Sequence, residues 1–337
     1  MTTRGSGGGV RVASAVLGAA LALALAPSSF ASAAPAADQQ APAKLGSTRY
    51  RAVDLGTLGG QSSYATAMND RGVVVGRAQV ADGTWHGFLW RRGSMIDLGL
   101  FAPTDINNRG HIVGTRDERG GAYRWVHGRL TPLGGGMTHP EAMNDHGQVV
   151  GDKSLGNGTD VPVLWTRGGV RVLPLDDVSG VNNRGQVSGG QRLTTGGFHA
   201  SVWHRGRVTN LGVAAFDRGN SYGINDSGWV IGWTFSAQQD ERGALWRHGT
   251  RTDLGTLGGK VTQTVAINDR GVVLARSQVT DGNMHPALWR RGVLTDLTVG
   301  GVSADGEVVD LNDGGEIAAS IRPEWGISRA TVYRPRG

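Results

Sequence analysis

From residue 50 onward the chain is a succession of short apolar runs, each bounded by Gly, Asn or Asp. One run reads Gly-Val-Val-Val-Gly at 72–76, and it returns as Gly-His-Ile-Val-Gly at 110–114, Gly-Gln-Val-Val-Gly at 147–151 and Gly-Trp-Val-Ile-Gly at 228–232. Runs this short between turn residues predict β-strands, since a helical face needs apolar positions at 3.6-residue spacing over a longer stretch. In the first copy the pattern predicts four strands, A to D, over 65–68, 73–79, 86–90 and 94–98.

The same unit then repeats. Asn-(Asp/Asn)-x-Gly occurs at 69–72, 107–110, 144–147, 182–185, 225–228, 268–271 and 312–315. An aromatic residue follows at Trp90, Trp125, Trp165, Trp203, Trp246, Trp289 and Tyr333, 21 residues after the Asn in six copies and 18 in the second. Asn and Asp can bond the local backbone in a tight turn, and Gly accepts positive φ, so the first marker predicts an A–B hairpin. Four short strands per unit describe a propeller blade. Helical repeats of similar period are excluded by Gly density.

The ends predict how the ring closes. The last unit stops after its C strand, while residues 50–56 form an isolated D strand resembling 251–255 and 294–297. The expected fold is therefore all-β: a seven-bladed β-propeller of four-stranded blades over 50–337, closed by an N-terminal strand that completes the last blade.

Composition agrees with a turn-dense fold. The 337 residues include 56 Gly and no Cys, with 39% hydrophobic and 18% charged residues. That is too apolar for a disordered chain, and the lack of Cys excludes disulfides and thiolate chemistry. Ahead of the repeats, residues 1–33 carry Arg4 and Arg11, an apolar run over 12–26, and Ala31-Ser32-Ala33. This reads as a cleavable signal peptide, the apolar run being shorter than the roughly 20 residues of a spanning helix. Residues 34–49, rich in Ala and Pro, read as a flexible leader. A secreted, extracellular, monomeric protein without a membrane span after cleavage is expected.

Three segments carry a family resemblance: Asp-Leu-Gly-Thr-Leu-Gly-Gly at 54–60 and 253–259, Ile-Asn-Asp-x-Gly at 224–228 and 267–271, and His-x-x-Leu-Trp at 86–90 and 285–289. With these the chain resembles the HAF family of extracellular repeat proteins, named for a His-Ala-Phe triplet. The triplet itself is altered, to His86-Gly87-Phe88, His199-Ala200-Ser201 and His285-Pro286-Ala287. The resemblance implies an exported repeat protein and brings no activity with it.

Candidate chemistry is sparse. No nucleophile elbow, phosphate loop or His-Glu-x-x-His occurs, so no catalytic residue, metal ligand or cofactor is assigned. Asn108 and Asn183 replace Asp in two turns, which argues against calcium loops, and His86, His199 and His285 lie in different units, favouring packing or hydrogen bonding over zinc. A glycosidase would need two of the acidic residues outside the turns, which include Glu118, Glu141, Asp176, Asp177, Asp240, Glu241 and Glu324, facing each other across a pocket.

Propeller geometry sends the B–C and D–A loops to one face and the A–B and C–D turns to the other. The loop face holds Trp85, Trp233, Phe235 and Trp325, aromatic rings suited to stacking on a sugar or apolar group. The turn face is basic. Arg71, Arg109, Arg184 and Arg270 sit in A–B turns, and Arg91, Arg92, Arg167, Arg205, Arg247, Arg290, Arg291, Arg334 and Arg336 follow the aromatic marker. Such a face would contact an anionic polymer or envelope surface. The expected function is a noncatalytic propeller binding an extracellular glycan, anionic polymer or protein, with no specific nucleic acid partner. A hydrolase or lyase with carboxylates at the central opening, and a structural interaction module, are the alternatives.

Overall fold

A computed structural model of the chain describes residues 50–116, 121–194, 196–212, 215–324 and 326–336. The signal segment 1–33, the leader 34–49 and Trp325 lie outside the described residues.

Within each unit consecutive strands pair antiparallel, A with B, B with C and C with D, as tight turns between short apolar runs require. The first unit runs Gly59–Met68, Val74–Val80, Trp85–Arg91 and Ser94–Asp97. Its A strand starts six residues before the expected position, because Gly59 already pairs with Val80 ahead of an irregularity that resumes pairing at Ser63. In the last unit Glu307–Leu311, Ile317–Glu324 and Ile327–Pro335 supply three strands, and Tyr50–Asp54 pairs with the third, Tyr50 opposite Pro335 and Asp54 opposite Thr331.

The described strands form five separate four-stranded sheets and one of eight strands. The sequence reading expects seven separate sheets. The difference arises between units four and five. The fifth A strand, Ala215–Ile224, is ten residues long, and its first half passes the start of the fourth C strand, Phe198–His204, where one parallel bridge joins Phe198 to Arg218.

Apolar cores sit between successive units. Between the last and the first, Leu55, Met68, Val74, Phe88, Trp90 and Val332 are buried together. Five of the seven repeat aromatics, Trp90, Trp203, Trp246, Trp289 and Tyr333, are buried, which explains why the position recurs. The Gly at the third position of strand B in units one to five has a packing reason. A Cβ on Gly76, Gly114, Gly151, Gly189 or Gly232 would collide with the carbonyl oxygen of Tyr64, Ala102, His139, Asp177 or Asn220 on the A strand.

Candidate functional site

The Asn of each A–B turn is buried and works in two directions. Locally, Asn69 Oδ1 accepts the N–H groups of Arg71 at 3.1 Å and Val73 at 3.0 Å, the turn chemistry expected from sequence. Its Nδ2 then donates to the carbonyl of Asn107 in the next unit at 3.0 Å. The same link runs from Asn107 to Asn144, Asn182, Asn225, Asn268 and Asn312, and Asn312 returns to Asn69.

A second cycle lies beside the first. The N–H of Asp70 donates to Asn108 Oδ1 at 2.8 Å, and the pattern continues through Asp145, Asn183, Asp226, Asp269 and Asp313, whose N–H returns to Asp70 at 2.8 Å. These residues line an opening of about 180 Å³ at the centre of the turn face. Asn108 donates to Asp70 at 2.6 Å and to Asp145 at 3.3 Å, and Asn183 donates to Asp145 and Asp226, so the two Asn separate carboxylates that would otherwise be adjacent. No Asn intervenes along Asp226, Asp269, Asp313 and Asp70. There desolvation, and then the neighbouring carboxylates, hold the Asp269 carboxyl above its usual range. Among the described residues no group of three or more His, Asp or Glu is placed to hold a metal ion.

Two residues before the turn Asn, five units carry a small residue, Ala67, Ala142, Gly180, Gly223 or Ala266, and the other two carry Asp105 and Asp310. Asp105 accepts the N–H of Ile106 at 2.7 Å and of Met143 in the next unit at 2.6 Å. Asp310 accepts those of Leu311 and Met68, both at 2.8 Å. Desolvation outweighs these bonds and pushes the carboxyls up to about 6 and about 7. Sequence reading missed this pair, although the departure from Ala or Gly at one register was visible.

On the loop face the aromatic residues pack within their own units. Trp85 packs against Tyr64 in a tilted arrangement at 5.2 Å, and Trp233 meets Phe235 edge-on at 5.3 Å. The structure pairs Trp233 with Phe235 and leaves Trp85 in a different, non-adjacent unit. The residue that stands out is Tyr222, 45% exposed. Desolvation, then the charges of Glu241 and Asp177, raise its pKa. Glu241, Asp177, Asp152 and Glu141 are themselves all raised, with desolvation the largest cause in each. This side of the loop face, across units three to five, is acidic and aromatic. Both Asp177 oxygens are engaged, Oδ1 by the N–H of Gly190 at 2.5 Å and Oδ2 by Asn220 at 2.7 Å.

The repeated His register forms a clasp between strands C and D. His86 meets Asp97 at 2.9 Å, His285 meets Asp296 at 2.8 Å and His199 meets Asn210 at 3.0 Å, with Arg242 and Asp253 in the same relation at 3.3 Å. Of the predicted basic residues, Arg71, Arg91 and Arg92 line one turn-face groove with Arg334, and Arg184 and Arg205 line another with Arg167 and Arg171. Arg109, Arg270 and Arg291 are exposed in turns elsewhere on that face, and Arg290 is exposed at the end of a C strand. Among the described residues no helix is long and apolar enough to cross a membrane.

No protein-family model matches the sequence, and no curated protein does. Solved structures resemble it in shape. An acylaminoacyl peptidase of Pyrococcus horikoshii superimposes with a TM-score of 0.54 at 13% identity over 80% of this chain, which spans only about half, 52%, of that enzyme. The propeller domain of the trilobed protease of Pyrococcus furiosus gives 0.53 at 11% identity, covering 80% of this chain and 98% of that one. A chain of a mitotic checkpoint complex gives 0.52 at 13% identity, covering 94% and 100%. What is shared at these identities is the fold: the chain is an all-β propeller with four-stranded blades.

Proposed function

We propose that this chain is an exported, noncatalytic seven-bladed propeller, related to the HAF repeat proteins, that serves as a protein-interaction module. The blade count treats the eight-stranded sheet as two blades sharing one bridge, and the unbroken cycle of seven Asn links supports it. Export rests on the sequence of residues 1–33.

The observation that carries the binding reading is Tyr222, a ring 45% exposed that feels the charges of Glu241 and Asp177. An exposed aromatic ring in the field of two carboxylates suits a guanidinium or ammonium group, so the partner is a protein segment rich in Arg or Lys. A glycan groove finds less support, because Trp85 and Trp233 each spend a face on their own unit. Hydrolysis finds less support because both oxygens of Asp177 are held.

The test is titration of the mature chain with a short Arg- and Lys-rich peptide and with its Glu-substituted counterpart, followed by calorimetry. Tyr222→Ala and Glu241→Gln should each weaken binding of the basic peptide by about fivefold to tenfold. Equal binding of both peptides, or variants that bind like the parent, would sink this reading. Binding confined to a neutral oligosaccharide would restore the glycan alternative.

A further inference from the structure

The turn face holds a cavity that the loop-face reading does not use. It is an open groove between units three and four with a volume of about 630 Å³. Its charge-bearing lining residues are His146, Arg167, Arg171, Arg184, His204 and Arg205, and no carboxylate lines it. None of the four guanidinium groups enters an ion pair among the described residues. The groove between the last and first units differs, since its Arg334 is neutralised by Glu316 at 2.8 Å. The four guanidinium groups are exposed, and an anion in the groove would meet all of them with no competing carboxylate in the lining.

Arg171 lies over the Trp203 ring at 5.8 Å, a cation–π contact. A planar guanidinium fork matches two oxygens of a tetrahedral oxyanion better than an ammonium would. The volume exceeds that of a lone oxyanion, and Gln148 and Thr166 add neutral polar groups suited to hydroxyls.

We infer that this cavity binds a phosphate ester carried on a polyol or sugar unit. Such a group could come from a small metabolite or from a phosphodiester-linked envelope polymer, and the probes separate the two. The mature chain is titrated at physiological ionic strength with glycerol 3-phosphate, with a short poly(glycerol phosphate), and with poly-glutamate of matched charge. Binding of either phosphate probe with poly-glutamate far weaker supports the site; monomer binding identifies the small ester as sufficient, and polymer-only binding identifies the chain. The double variant Arg171→Ala/Arg184→Ala should lower affinity by about tenfold or more, while Arg290→Ala/Arg291→Ala, the same charge loss on a distant turn, should change it by less than about twofold.

Equal losses from the two double variants, equal binding of poly-glutamate, or no binding of either phosphate probe would overturn the proposal. A second readout does not depend on variants: the His204 imidazole resonance should move on saturation with the bound probe, and an unmoved resonance would also overturn it. Arg171→Ala/Arg184→Ala leaves the basic-peptide titration of the loop face unchanged, so the two readings fail separately.

Discussion

The backbone N–H of Asp313 donates to the carboxylate of Asp70 at 2.8 Å, across 243 residues of sequence. Beside it Asn312 reaches the carbonyl of Asn69 at 3.5 Å, the longest link of its cycle. Last and first turns are thus joined by the same bonds that join every neighbouring pair. A turn motif that looks local is also the axial fastening of the fold.

Breaking one link should therefore cost more than a surface turn would. Asn182 accepts from Arg184 and Gln186 and donates to the Asn225 carbonyl at 2.9 Å. Asn182→Ala strands buried polar groups in two units and should lower unfolding free energy by about 2–4 kcal/mol in urea titration. A loss no larger than that of a solvent-exposed Asn→Ala would show that the ring contributes little.

Strand-B glycines give a paired prediction. Gly151→Ala places a methyl group against the His139 carbonyl and should destabilise by about 1–3 kcal/mol. At the matching register of unit six the chain already carries Ala275, opposite Thr264, so Ala275→Gly should be tolerated with a smaller change. Thermal melts of both variants decide the matter, and equal losses would contradict the packing argument.

The buried carboxyls predict a pH dependence with a definite sign. Folding raises Asp105 to about 6 and Asp310 to about 7 from the ordinary 3.8. The folded chain therefore keeps protons that the unfolded chain releases, and stability falls as pH rises from about 4 to about 7, levelling above that. Because the two carboxyls also feel each other, the fall belongs to the pair. Asp310→Ala, which restores the residue type of Ala67 and Ala266, should flatten the curve while lowering it at acid pH through the stranded Met68 N–H. A melting temperature that climbs from pH 5 to pH 8 in the parent chain would refute this assignment.

The first strand should be separable and restorable. Tyr50 and Leu55 are buried in the cores on either side of the last unit. A chain beginning at Gly56 loses both side chains and an edge of paired backbone, worth about 3–6 kcal/mol from apolar burial alone. Adding a synthetic peptide of residues 50–55 should recover part of that loss in a concentration-dependent melt, and no recovery would argue against strand complementation.

Much of this architecture was legible because it depends on short-range chemistry. Turn types follow from Asn, Asp and Gly at fixed offsets, and strand positions follow from the apolar runs between them. The partnership of residues 50–54 with the last unit was visible because the first segment repeats the D-strand pattern that the last unit lacks. The inter-unit contacts were hidden. Nothing about Asn69 in sequence indicates that its amide meets Asn107, since that depends on how neighbouring units pack around the axis. The same holds for Tyr222 in the field of Asp177 and Glu241, residues from two units that only propeller closure brings to one rim, and for the four guanidinium groups along the turn-face groove. Local turn and strand preferences act within a few residues, whereas desolvation and charge clustering depend on distances through space, which the chain acquires only when the ring has formed.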